Sequence, residues 1–514
     1  MSGRIAMIGL ALAFWPAVGA EDHTSAVEHH HQGMALYRSH DAQGAIRELR
    51  RAVEIDARYA EAWNDLGVME RQQGNLKAAI ECFGKAIAAR PQFVGALYNS
   101  ALAQEAAGNR GAAIEQARGV IALTPRMAQA HALYGRLLMM PDHLTAARDE
   151  LRLAVDLDPA LASARTNLGA VLYKLGHIRE AIDELRQAVL RDPRSAQAEY
   201  ELGLALFASG AQQEAKSAFE QAVELDPALT EPRINLGQLL ENENRMDEAL
   251  AQYRRAAEVA PANPTVSLHL ARALGKTQAW NEARTVLDQA LRRHPDDAGL
   301  YFERGKLREG TQDHGGALRD LQAAIRLNAN SAEYYLELSR VLHELGRTSE
   351  EKAALESALR IDPNLVEARY TLAGLVRKQG DAAGARQQFA KVQQLRESEI
   401  NRDLALGAVR AGVLLAEKHD YDGAIEQFRK AIAINPDLGE AHFDLGGALA
   451  AKGDALAAIA SFREAIKLAP EWAEAHFQLG RSLLQSGRRD EALAEFHAAL
   501  KYDPQHAGAK QALR

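Results

Sequence analysis

The residues that could do chemistry are few. Histidines crowd the N-terminal region at His23, His29, His30, His31 and His40. Neutral imidazoles are good transition-metal ligands. Adjacent residues on a helix point in different directions, so the run at 29–31 does not converge on one ion. Gly275-Lys276-Thr277 imitates the end of a phosphate-binding loop. The glycine that such a loop needs five residues earlier is Leu270, and the segment closes a helix, so no nucleotide site is expected. Asp158, Asp192, Asp226 and Asp362 each precede a proline. They read as helix ends, not as catalytic carboxylates. Cys82 is the single cysteine, next to Phe83, with no base nearby in sequence. It can form no internal disulfide and reads as an inert, half-buried thiol. The patterns HExxH, GxSxG and GxGxxG are absent. Asn263-Pro264-Thr265 is blocked by its proline as a glycosylation site. The expectation is a protein that is no enzyme, with no catalytic residue, no cofactor and no metal.

The chain has 514 residues, 61 Lys plus Arg and 69 Asp plus Glu, a net charge of −8. A mildly acidic chain lacks the electrostatic footprint of a nucleic-acid binder. Residues 1–20 differ from the rest: Arg4 is their one charge, and 5–14 are apolar except for Gly9. Trp15-Pro16 breaks the run, and Ala17-Val18-Gly19-Ala20 is small. This is the layout of a signal peptide cleaved after Ala20. The run is short of the ~20 residues needed to span a bilayer, so a retained anchor is the weaker reading. No stable membrane span is expected in the mature chain, which would be periplasmic or secreted.

One alanine recurs every 34 residues: Ala45, Ala79, Ala113, Ala147, Ala181, Ala215, Ala249, Ala283 and Ala317, then Glu351 and Ala385. After a slip of five residues the series resumes at Ala424, Ala458 and Ala492, so 13 of 14 positions are alanine. Twelve residues earlier lies a glycine column with ten glycines, completed by Ala101, Ala271, Ser339 and Ala373. Twelve residues later, eleven of the 14 positions are proline. Each unit reads as two helices. In 60–93, Trp63, Leu66 and Gly67 follow a helical period, Gly74-Asn75 turns the chain, and Asn75 is placed to cap the next helix. Pro91 ends that helix. Gly67 and Ala79 are small because the two helices cross closely there.

These columns resemble the tetratricopeptide repeat: a small residue eighth, alanine twentieth, Phe, Tyr or Leu twenty-fourth, and proline thirty-second. Phe83, Phe219, Tyr253, Phe389, Phe428, Phe462 and Phe496 fill the twenty-fourth position of seven units. The resemblance implies an all-α fold, a right-handed α-solenoid of stacked helix-turn-helix repeats. Stacked units bury faces that no unit can bury alone. The domain reading is a 1–20 signal peptide, a short segment 21–25, repeats 1–11 over 26–399 and a register slip at 400–404. Repeats 12–14 over 405–506 and a partial capping helix at 507–514 complete it. The slip has no Gly or Pro around it. It reads either as a neutral helical extension or as a hinge between two arms.

The resemblance also implies that first helices line a groove through their second, fifth, sixth, ninth, twelfth and thirteenth positions. The fifth carries Tyr98, Tyr200, Phe302, Tyr370, Phe443 and Phe477, and the sixth carries Asn99, Asn167 and Asn235 on alternate units. Aromatic rings supply contact area at low entropic cost, and Asn can both donate to and accept from an extended backbone. Arg136, Arg272, Lys306 and Arg340 are mixed with Glu303, Glu333, Glu337 and Glu344 on this face. Lys never stands fifth and Asn never ninth, so the clamp for chaperone C-terminal carboxylates is not expected. The leading functional reading is an exported scaffold that holds an extended peptide or partner helix in this groove. The alternative is an accessory subunit that recruits substrate for a glycosyltransferase or a polysaccharide synthesis or export machine.

Overall fold

The computed structural model describes residues 20–503 and 506–513. The expected signal peptide, up to residue 19, lies outside the described residues, as does Pro504. Among the described residues there are 28 α-helices, one 3₁₀ turn and no strand. The chain forms two compact units, up to Pro261 and from Ala262 onward. Each is an all-α solenoid of stacked helix-turn-helix repeats. No described helix is long and apolar enough to cross a membrane.

The alanine column explains the stacking. All 13 of its alanines are at most 2% exposed. A Cβ added at the glycine column would collide with the residue sixteen positions later. At Gly67 it would lie 2.6 Å from Phe83 Cε1, and at Gly480 2.6 Å from Phe496 Cε1. Gly135 meets Leu151, and Gly169 meets Leu185, in the same way. The missing side chain therefore makes room for a neighbour's ring or Leu branch, as well as for the close crossing. Six aromatic residues face a column glycine, and all six are at most 1% exposed: Phe83, Phe219, Tyr253, Phe428, Phe462 and Phe496. The seventh, Phe389, has Ala373 in that column and is only half-buried.

The turn between the two helices of a repeat needs a left-handed residue. Gly74, Gly108, Gly176, Gly210, Gly346, Gly380, Gly453 and Gly487 supply it with φ of 68–93°. His40, Asn244, Gln278, Gln312 and His419 adopt the same conformation at the cost of a strained Cβ. Repeat 4 instead turns through the 3₁₀ helix Pro141–His143. Asp41, Asp313, Asp381, Asp420 and Asp454 follow the turn and cap the second helix by accepting from a backbone N–H three residues on. Asn75 does not cap: its Nδ2 donates to Glu70 Oε2 at 2.9 Å. The Asp-Pro residues do end helices. Asp158, Asp192, Asp226 and Asp362 each accept from the backbone N–H two residues later.

One helix breaks the rhythm. Ala382–Glu417 runs for 36 residues without interruption. The preceding span holds a 14-residue second helix, a four-residue turn and a 13-residue first helix. Five residues are left over, and they are the slip at 400–404. Here the turn has been replaced by helix. Ile400 and Leu404 are 58% and 57% exposed on its middle. The short helix Ala507–Ala512 closes the described chain, and a side chain at Gly508 would meet the Phe477 ring.

Candidate functional site

Three of the N-terminal histidines pair with separate carboxylates. His23 Nδ1 lies 2.6 Å from Asp56 Oδ2 and His29 Nδ1 2.6 Å from Glu48 Oε2. His30 bonds Tyr59 Oη and Asp65 Oδ2, both at 2.8 Å. Each imidazole reaches a different carboxylate on the following helices, which fastens helix Ala20–Arg38 to its neighbours. Among the described residues no group of three or more His, Cys, Asp or Glu could hold a metal. Gly275-Lys276 ends the helix Pro264–Lys276, and the Thr277 hydroxyl is turned back onto the carbonyls of Ala273 and Leu274. Cys82 is buried, more fully than half, and burial pushes its thiol up to about 11.

The nine groove candidates are placed differently from one another. Phe302 is 4% exposed and stacked on Tyr334 with centroids 4.6 Å apart. Phe443 is covered by Trp472 at 4.4 Å, and Phe477 lies between Phe496 and His506 at 5.8 and 4.6 Å. Tyr200 lies against Phe219 at 6.0 Å and is hydrogen-bonded to Asn235; burial pushes its phenol up to about 12. Tyr98 is half-buried against the cluster of Ala101, Ala113 and Leu133. Asn99 Nδ2 donates to Asn64 Oδ1 at 3.0 Å, across repeats. Asn167 is half-buried and makes no side-chain hydrogen bond among the described residues. Tyr370 stands out at 53% exposed, edge-on to Phe389 at 5.5 Å and under the Arg396 guanidinium.

Clefts open on this face in the second unit twice within repeats 8–11, where the groove candidates Phe302 and Tyr370 lie, and again between repeats 13 and 14. The first, about 300 Å³, lies between repeats 8 and 9. Trp280, Gly275, Arg272, Lys306 and Glu303 line it. Trp280 lies over the bare backbone of Gly275 and Gly310, where added Cβ atoms would stand 3.6–3.8 Å from its ring, in ordinary van der Waals contact. The second cleft, about 320 Å³, lies between repeats 10 and 11. Arg340, His343, Glu344, Glu351, Gly374 and Lys378 line it, and Thr371 places it next to Tyr370. The charges here are ordered. Arg272 donates to Glu303 through both Nε and a terminal nitrogen. Arg340 bridges Glu337 at 2.6 Å and Glu367 at 2.5 Å. Burial raises the Glu337 carboxyl above its ordinary range, although Arg340 and Lys306 pull it down.

Sequence reasoning passed over Trp280, a second-helix residue that no groove position covers. Glu351 stood out only as a break in the alanine column. Its place on the wall of a cleft is set by the crossing of two helices, which periodicity alone does not reveal.

Family models for the tetratricopeptide repeat match residues 31–93, 166–230, 213–265 and 302–366, with a further one at 243–302. Others match 412–453, 439–471 and 473–506. The chain is a tetratricopeptide-repeat protein. Among solved structures it is similar to the Cut9–Hcn1 hetero-tetramer of the APC/C, at 15% identity over 95% of both chains and a TM-score of 0.40. It is also similar to yeast Tom70, at 15% identity over 95% of this chain and 99% of that one, TM-score 0.37. PilF of Pseudomonas aeruginosa is 22% identical over 43% of this chain and 98% of that one, TM-score 0.38. No curated protein matches the chain. The tetratricopeptide fold is a protein–protein interaction scaffold, and its partners are proteins.

Proposed function

We propose that this tetratricopeptide-repeat protein is an exported, non-enzymatic scaffold that binds an extended segment of a partner polypeptide across the first helices of repeats 8–11. The observation that carries the reading is the pair of clefts on one face, lined by residues one repeat apart. Arg272, Lys306 and Arg340 hold the same position in successive repeats, and Gly275, Glu309 and His343 hold another. Packed helices stand ~10 Å apart, and an extended chain advances ~3.3 Å per residue. A bound strand would pass one repeat in about three residues and reach from cleft to cleft in about six. Tyr370 offers a ring that is 53% exposed beside the second cleft. The apolar run at 5–14 and the small residues before Glu21 support export.

A photo-crosslinking side chain placed at Thr371, against one at Glu356 on the second-helix side, tests the face. Partner adducts are expected from 371 and not from 356. Equal yields from both, or adducts from 356 alone, refute it. N-terminal sequencing of the native protein tests export, with Glu21 expected as the first residue.

A further inference from the structure

Repeat 10 departs from its own chain in both crossing columns. Ser339 stands where ten repeats carry glycine, and Glu351 where every other repeat carries alanine. Neither is pushed out to solvent. Ser339 is 1% exposed and its hydroxyl donates to the Leu336 carbonyl at 2.6 Å. Glu351 is 3% exposed, so a carboxylate occupies a site that elsewhere is filled by a methyl group. Among the described residues its partner is His343, whose Nδ1 lies 3.1 and 3.2 Å from the two carboxylate oxygens. The acid accepts only, so Nδ1 is the donor. A carboxylate offers about four acceptor positions, and one N–H leaves most of them unmet. Burying a charge so thinly partnered is costly. Glu351 lies on the wall of the 320 Å³ cleft.

We infer that this cleft is a pocket for a single ammonium or guanidinium group, with Glu351 as the carboxylate that receives it. In the peptide-binding reading above, on which the source of that group rests, it arrives as a Lys or Arg side chain of the partner segment. The walls suit such a side chain. A Cβ built at Gly374 would meet nothing within 4 Å, so that wall is open. Leu375 and the stem of Arg340 offer apolar surface to methylenes. Of the cations on the lining, Arg340 is occupied, held by Glu337 and Glu367. Glu309 and Glu344, which also line the cleft, add attraction for a positive charge. Lys378 on the opposite side opposes it. The pocket is small for a peptide and matched to one long side chain, at the lower end of ligand-cavity volumes of ~300–1,000 Å³.

The test uses fluorescent, end-blocked Gly/Ala peptides with a central Lys, Arg, norleucine or Glu, and spermidine as a free cation. Affinities are read by anisotropy on the whole protein. The Lys and Arg peptides are expected to bind about tenfold tighter than the norleucine peptide, the scale of a charge-assisted hydrogen bond. Glu351→Ala, which restores the residue of the other repeats and so keeps the fold, is expected to abolish that preference. Glu351→Gln should weaken it, and Lys378→Met should strengthen it. Equal binding of Lys and norleucine peptides, or a preference that survives in Glu351→Ala, overturns the pocket and leaves the peptide-binding reading intact. Spermidine binding that Glu351→Ala removes, with no peptide bound at all, upholds the pocket and overturns the peptide-binding reading.

Discussion

Gly446 and Gly447 are neighbours in the helix Gly439–Lys452, and alanine at the two should act in opposite directions. A Cβ at Gly446 would lie 2.8 Å from both Cδ1 and Cε1 of Phe462. Carbon atoms pack best at roughly 3.5–4.0 Å, so the methyl group intrudes by nearly 1 Å. Phe462 is 1% exposed, and Phe443 already lies edge-on at 5.6 Å. The ring has nowhere to go without leaving its rotamer or parting the helices. Overpacking of this kind costs about 1–3 kcal/mol. The better helix propensity of alanine returns up to ~1 kcal/mol, leaving a net loss of up to about 2 kcal/mol. At Gly447 nothing lies within 4 Å, so only the propensity gain remains, about 0.5–1 kcal/mol of stabilisation. A stack of repeats need not unfold in one step, so hydrogen exchange of amides within 439–468 is a better readout than a single melt. A cycle with Phe462→Leu should show coupling, because repeat 8 already pairs Ala271 with Leu287. Shifts of the same sign at 446 and 447, or a cycle without coupling, would refute the steric account of the glycine column.

Asp444 is held up to about 6 by burial, with Glu440 adding to the effect. Its folded form therefore favours the proton. Its contribution to stability is fullest below the unfolded value of 3.8 and is lost as pH rises through about 6. Asp444→Asn is expected to stabilise by about 1–2 kcal/mol at pH 7.5 and to change little at pH 4, checked by denaturant midpoints at both. Gln278→Gly and Gln312→Gly, at left-handed positions with φ of 61° and 63°, should each stabilise by about 1 kcal/mol in the same assay. Asp420→Ala removes the bond accepted from the Gly423 N–H at 3.0 Å and should cost about 1 kcal/mol. Phe302→Ala should destabilise by about 3–5 kcal/mol, since that ring is stacked and buried, whereas Tyr370→Ala should leave stability nearly unchanged and weaken partner capture in crosslinking yield.

The repeat itself was legible in the linear chain because it is a local rule applied many times. A small residue, a ring sixteen positions on and a helix-ending proline are all set within one helix pair, and recurrence turns a weak signal into a firm one. The same columns marked repeat 10 as odd through Glu351 and located the five surplus residues near 400. They gave the element boundaries closely: Pro91 follows directly on the second helix Leu76–Ala89 and its cap Arg90. What they could not settle is which neighbour covers which side chain. Phe302, Phe443 and Tyr370 share one column, yet Tyr334 and Trp472 stack on the first two, while the third has the Phe389 edge and the Arg396 guanidinium against it and stays 53% exposed. The covering residue comes from the following repeat or its N-cap and from none of the columns above. The left-handed turn position was likewise hidden where Gln278, Gln312 or His419 occupies it, because backbone conformation there is imposed by the two helices it joins. Spacing along the chain fixes the rods and their crossing points. Only their packing decides which surfaces stay open, because exposure depends on residues that are distant in sequence and close in space.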